Sequence, residues 1–108
     1  MPIYNKLIRD NIPQIIKATG KEFNIKTLNN AEYKEELQTK LKEELEEYLQ
    51  ATKDNESIEE LADMLEIIHS LTTIHHSSIE ELEMVRKEKK AKRGGFEEKI
   101  YLIDVEDE

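Results

Sequence analysis

The chain has 108 residues, of which 37% are hydrophobic and 38% are charged, and its formal net charge is −9. This charge disfavours general nucleic-acid binding, because acidic groups repel a phosphate backbone. The absence of cysteine excludes disulfides and thiolate metal sites. We expect residues 1–108 to form one domain. No stretch resembles a signal peptide or reaches membrane-spanning length, so we expect a soluble cytoplasmic protein without a membrane partner.

The opening part of the chain is predicted to contain one short helix. Asp10 or Asn11 can cap this helix and Gly20 can end it. Alternating apolar residues then indicate a short strand at residues 22–28, and a second β-prone run lies at residues 99–105. Since two lone strands need a partner to be stable, we expect them to pair as a small two-stranded element.

Three longer helices are predicted between these strands, at about residues 30–53, 57–76 and 78–93. Their connections are short, so neighbouring helices should pack antiparallel in a mainly α bundle. The pair Ser57 and Glu60 fits the capping-box pattern, in which the two residues satisfy each other's backbone groups at a helix start. The expected capping residues of the three helices are Asn30, Ser57 and either Ser77 or Ser78.

Four carboxylates lie on or beside the apolar faces of the first two long helices. At about 100° per residue, Glu44 falls within the apolar stripe of its helix and Glu47 at the edge, while Glu60 falls inside the apolar arc of the next helix and Asp63 at its border. Gathered buried carboxylates repel one another unless a cation lies among them. Oxygen ligands select a hard ion, so the pattern predicts a site for Mg²⁺, Mn²⁺ or Ca²⁺.

Other interpretations remain open. Glu60 taken alone is also explained as the capping-box partner of Ser57. Glu66-x-x-His69 is a fragment of the di-iron carboxylate pattern, but that site needs a second copy of the motif and this chain has one. The wide apolar surface of the second long helix also allows a non-catalytic helical module that binds a nucleotide or another protein.

The spacing of the acidic residues resembles a known signature. The chain has Glu43-Glu44-x-x-Glu47, then twelve residues, then Glu60-x-x-Asp63. This resembles the EExxE…ExxD signature of the MazG-like, all-α nucleoside triphosphate pyrophosphohydrolase superfamily. Residues 4–13 and 92–96 resemble the ends of its phosphoribosyl-ATP pyrophosphohydrolase-like subgroup, so the resemblance covers nearly the whole chain.

The resemblance implies a Mg²⁺-dependent enzyme, with Mn²⁺ as a possible substitute, that releases pyrophosphate and a nucleoside monophosphate in nucleotide-pool house-cleaning. Phosphoribosyl-ATP remains an alternative substrate. Members of the superfamily commonly form oligomers, so we expect a homodimer or homotetramer. The implied metal ligands are Glu44, Glu47, Glu60 and Asp63, and Glu43 or Glu47 is the expected catalytic base. The cations expected to contact the substrate phosphates are Lys6, Arg9, Lys89, Lys92 and Arg93.

Overall fold

The structure is a computed structural model that describes residues 2–107. It contains four helices, which are α1 (Ile12–Ala18), α2 (Asn30–Gln50), α3 (Asp54–Ile74) and α4 (Ile79–Arg93). The predicted short first helix and three longer helices are confirmed, and the fold is mainly α. Within residues 2–107, no helix combines the length and the apolar character needed to cross a membrane.

The start of α2 is fixed by a complete capping box. The side chain of Asn29 accepts a hydrogen bond from the Glu32 backbone N–H at 2.9 Å, and the Glu32 carboxylate accepts one from the Asn29 N–H at 3.4 Å. The cap is therefore Asn29 and not the expected Asn30. The helix ends at Gln50, and the connection Ala51–Lys53 leads directly into α3.

The start of α3 lies one turn before the predicted position. Asp54 is its first residue, and the Ser57 N–H donates to the carbonyl of Lys53, so Ser57 lies inside the helix. Acidic residues at Asp54 and Glu56 favour this earlier start, because they interact well with the positive end of the helix dipole. The capping-box interpretation of Glu60 is therefore wrong.

The ends of α4 agree with the sequence prediction. The Ser78 hydroxyl accepts a hydrogen bond from the Glu81 backbone N–H at 3.1 Å. At the other end Gly94 has a φ of 82°, a conformation that glycine adopts without steric cost. Lysine and arginine side chains occupy the last turn, where positive charge suits the negative end of the helix dipole.

Packing is concentrated between α2 and α3. The three-residue connection makes these two helices antiparallel neighbours, and we call them the α2–α3 hairpin. Leu37 on α2 and Ile67 on α3 are the buried hydrophobic side chains of the described part of the chain. Helix α4 contacts α3 but not α2, and α1 contacts no other helix. The predicted antiparallel packing is therefore realised by the hairpin, while the four helices do not close into one bundle.

The predicted two-stranded element is wrong. Between residues 2 and 107 the structure contains no strand, and residues 22–28 and 99–105 are irregular. Alternating apolar residues stabilise a strand only where a sheet partner and a packed face are present, and a lone two-stranded ribbon is marginal. Ile100, Tyr101 and Ile103 are almost fully exposed, so the second run does not pack against the rest of residues 2–107.

Candidate metal centre

Three glutamates from two helices converge in the half of the hairpin nearer to the connection Ala51–Lys53. Glu44 and Glu47 lie one turn apart on α2, and Glu60 lies on the facing part of α3. Each offers one carboxylate oxygen, and these three oxygens all lie within 4.8 Å of one another. The structure therefore brings together three of the four predicted metal ligands, and the fourth, Asp63, lies outside this group.

The cluster combines burial with unsatisfied polar atoms. Glu44 is only 9% exposed, Glu60 is half-buried and Glu47 is exposed. Neither Oε2 of Glu44 nor Oε2 of Glu60 has a hydrogen-bond partner. Within residues 2–107, no lysine, arginine or histidine forms an ion pair with any of the three. A buried carboxylate in this situation costs several kcal/mol if it is charged and unpaired.

The surroundings of Glu44 favour its neutral, protonated form. Burial, as the largest cause, raises the pKa of the Glu44 carboxyl from 4.5 to about 8. Hydrogen bonding with the carboxyls of Glu60 and Glu47 raises this pKa further, as do the negative charges of Glu47 and Asp63. Without a cation the cluster therefore keeps a proton on Glu44 at neutral pH, and a metal ion would have to displace that proton.

Asp63, the fourth predicted metal ligand, forms an ion pair with Arg9 from the opening segment of the chain. The Arg9 guanidinium Nη2 donates to Asp63 Oδ1 at 2.6 Å, and both side chains are partly exposed. Asp63 lies one turn after Glu60 on α3 and is close enough to raise the pKa of Glu44. The sequence indicated both residues as functional but did not predict that they pair. Among residues 2–107, Arg9 is thus the one predicted phosphate-binding cation that forms an ion pair with a predicted metal ligand.

The remaining candidates lie elsewhere. Glu43 is exposed and outside the cluster. Lys6 Nζ lies over the ring of Tyr4, 5.7 Å from its centroid. The three predicted cations on α4 are exposed near its end, and no described ion pair or hydrogen bond joins them to the cluster; they are Lys89, Lys92 and Arg93.

The di-iron interpretation gains no support. Among residues 2–107, the group of side chains that could hold a metal ion contains neither Glu66 nor His69. The donors of the group are carboxylate oxygens, which suit a hard cation and not a soft one.

The spacing of the cluster suits a small divalent ion. Around Mg²⁺, with ligand bonds of about 2.1 Å, opposed oxygens lie about 4.2 Å apart and adjacent oxygens about 3.0 Å apart. Oxygens already within 4.8 Å of one another could therefore bind one such ion after shifts of at most about 1 Å each. The exposed side of Glu47 leaves one side of such an ion open to water and to a phosphate group.

Comparison of the chain with protein-family models, with curated proteins and with solved structures finds no match. The function is therefore inferred from the residues of this site.

Proposed function

We propose that this protein is a divalent-metal-dependent hydrolase that converts a nucleoside triphosphate to a nucleoside monophosphate and pyrophosphate. One observation carries the proposal: Glu44 is nine-tenths buried against a second carboxylate, Glu60, and each has a buried oxygen without a partner. Two such groups in the main helix–helix contact destabilise the fold. A bound cation would neutralise these carboxylates and use them as ligands. Metal binding therefore explains the arrangement better than a contribution to the stability of the fold does.

The donor set supports Mg²⁺, with Mn²⁺ as the natural substitute. All donors are oxygens, and both ions favour carboxylate and water ligands. Mg²⁺ usually keeps several waters and binds substrate phosphates directly. Because Glu47 is exposed to solvent, water and a phosphate group could reach an ion bound at this site. When bound, such an ion neutralises the triphosphate and lowers the pKa of a coordinated water.

The protein's own residues then have separate roles. Glu44 and Glu60 would hold the ion from the seam of the hairpin, and Asp63 would be available as a further ligand once Arg9 no longer pairs with it. Glu47 or Glu43 accepts a proton from the attacking water. The water oxygen bonds to the α-phosphorus, the bond from that phosphorus to the bridging oxygen breaks, and pyrophosphate leaves with the bridging oxygen.

Arg9 is the natural partner of the substrate's negative charge. A guanidinium binds carboxylates and phosphates with the same planar donor geometry. Its contact with Asp63 keeps it at the edge of the acidic cluster, where it can transfer to a phosphate. The spacing of the acidic residues in the chain, which resembles the MazG-like signature, supports the same assignment.

The decisive experiment measures pyrophosphate release from a panel of substrates. The panel holds canonical and modified nucleoside triphosphates, their deoxy forms and phosphoribosyl-ATP, each with Mg²⁺, with Mn²⁺ and with a chelator. We expect metal-dependent release with one preferred base. Preference for a modified base supports a house-cleaning role, and preference for phosphoribosyl-ATP supports the alternative substrate.

Two variants connect any activity to the site. Glu44→Gln should abolish turnover with the helical content retained, whereas Glu46→Gln, an exposed residue on the same helix, should leave turnover unchanged. If no substrate is turned over while calorimetry detects metal binding, the hydrolase proposal fails and a nucleotide-binding module takes its place.

A further inference from the structure

The start of the chain is joined to the α2–α3 hairpin by a single polar contact. We call residues 2–20, which comprise the opening segment and α1, the opening arm. The Ile12 N–H donates a hydrogen bond to the Arg9 carbonyl at 3.1 Å, so Arg9 and α1 belong to one local unit. Within residues 2–107, the Arg9–Asp63 pair is the one hydrogen bond or ion pair that connects the opening arm to the hairpin.

Packing alone does not fix the position of the opening arm. None of its residues is buried, and α1 contacts no other helix. Residues 21–28, which lead from the arm to the cap of α2, are irregular. A flexible linker of this length separates its two ends by about 15 Å in varying directions. The place of the arm beside α3 therefore depends on the side chain of Arg9.

Asp63 lies between the opening arm and the acidic cluster. It follows Glu60 by one turn on α3, and its negative charge raises the pKa of Glu44. Its carboxylate is nevertheless outside the group of three oxygens that lie within 4.8 Å of one another. Instead, its Oδ1 accepts a hydrogen bond from Arg9. The guanidinium thus holds the carboxylate that the metal site still lacks.

A divalent ion and the guanidinium compete for this carboxylate. The ion carries twice the charge, and its bonds to oxygen are about 2.1 Å long, whereas Arg9 Nη2 lies 2.6 Å from Asp63 Oδ1. The two side chains of the pair are 56% and 38% exposed, so water screens their attraction. An ion in the cluster also repels the guanidinium, because both are positively charged. The competition therefore favours the ion.

We propose that the Arg9–Asp63 pair attaches the opening arm to the hairpin only in the metal-free protein. When the acidic cluster holds a divalent ion, Asp63 exchanges Arg9 for the ion and the arm detaches from α3. Arg9 then presents its guanidinium to a phosphate group, so the site is completed in the order metal, arm release, phosphate. This inference rests on the metal site of the proposed function and not on the hydrolysis.

The test is a distance measurement between the arm and the hairpin. The chain has no cysteine, so a double variant carries two spin labels at chosen positions. One label replaces Ile15, which is 58% exposed on α1, and the other replaces Gln38, which is exposed on α2. The distance distribution should be narrow in chelator and should widen to about 15 Å in saturating Mg²⁺, as expected for a flexibly linked arm. Mg²⁺ is diamagnetic and does not disturb the labels.

A second labelled pair and two substitutions serve as controls. Labels at Gln38→Cys and Thr73→Cys both lie on the hairpin, so their distance should not change with Mg²⁺. Asp63→Ala removes the partner of Arg9, so the labels at positions 15 and 38 should show the wide distribution even in chelator. Glu59→Gln, at an exposed acidic residue on the same helix, should behave as the wild type does. Titration calorimetry on each protein measures how much Mg²⁺ is bound.

Two outcomes would overturn this inference and leave the metal site in place. One is a narrow distribution between positions 15 and 38 while calorimetry shows the site to be saturated. The other is a wide distribution in chelator, since the arm would then not be held by Arg9. Calorimetry that detects no binding of Mg²⁺ or Mn²⁺ would overturn both the inference and the metal site.

Discussion

The guanidinium of Arg9 lies 2.6 Å from Oδ1 of Asp63, although the two residues are 54 positions apart in the chain. The opening segment is thereby attached to α3, the helix that also carries Glu60 of the acidic cluster. Both side chains are partly exposed, so the pair contributes at most about 1 kcal/mol. A contact of this strength can be exchanged for a contact with metal or phosphate.

Removal of Arg9 should strengthen metal binding and weaken nucleotide binding. In Arg9→Gln the competing positive charge beside Asp63 is lost, so the affinity for Mn²⁺ without nucleotide should rise by up to about five-fold. The affinity for the nucleoside triphosphate should fall, because a phosphate contact is lost. Titration calorimetry measures both, with the substitution Lys17→Gln at an exposed lysine of α1 as the control. An unchanged Mn²⁺ affinity in Arg9→Gln would show that Asp63 takes no part in the metal site.

The metal-free protein should lose stability as the pH rises. The folded pKa of Glu44 is about 8, against 4.5 for the free carboxyl, so below pH 4.5 the group is protonated in both states and the stability contribution is complete. Between pH 4.5 and about 8 the unfolded chain releases this proton first, and the contribution is lost. We expect the melting temperature in chelator to fall over that range, and to fall less steeply in Glu44→Gln. Equal slopes for both proteins would contradict the assigned burial of Glu44.

Divalent metal should stabilise the fold through Glu60. Mg²⁺ at about 100 times its Kd adds about 2.7 kcal/mol to the free energy of unfolding. Urea unfolding with and without Mg²⁺ should show this increment in the wild type and in Glu59→Gln, whose substituted side chain is exposed. In Glu60→Gln the increment should largely disappear. A full increment in Glu60→Gln would remove that residue from the ligand set.

Kinetic measurements should show which of the two candidate bases, Glu47 or Glu43, accepts the proton of the attacking water. Glu47 belongs to the cluster and Glu43 is outside it, so Glu47→Gln should lower both kcat and the apparent metal affinity. A base that only orients water contributes about 10²-fold or more to kcat without holding metal. If Glu43 has that role, Glu43→Gln lowers kcat by this factor at unchanged metal affinity. Steady-state assays over a range of Mg²⁺ concentrations distinguish the two patterns, and two fully active variants would exclude both residues.

Much of the helical structure could be predicted from apolar periodicity. The stripe through Leu37 and Leu41 predicted α2 to within a few residues, and the position of Glu44 inside that stripe predicted its burial. This worked because helix geometry converts spacing along the chain directly into position on a face. The same reasoning placed Glu60 beside Glu44, because two helices joined by a short connection pack against each other as antiparallel neighbours.

The failures have equally local causes. Ser57 matched a capping pattern, but α3 begins about one turn earlier, at Asp54. The negative charges of Asp54 and Glu56 interact favourably with the positive end of the helix dipole and so stabilise this earlier start. Residues 22–28 and 99–105 alternate as strands do, yet strand formation depends on a neighbouring strand, whose position the local sequence does not specify. The Arg9–Asp63 contact links distant positions through the path of an irregular segment, and no local pattern encodes such a path.

The place of the acidic cluster in the α2–α3 seam has a kinetic consequence. Helices joined by three residues make local contacts, and local contacts form early in folding. Glu44 therefore meets Glu60 in the same step that brings Leu37 to Ile67, and at neutral pH its carboxyl takes up a proton as it is buried. If the cluster binds a divalent ion, we expect the ion to bridge the carboxylates at that stage and so to accelerate refolding as well as slow unfolding.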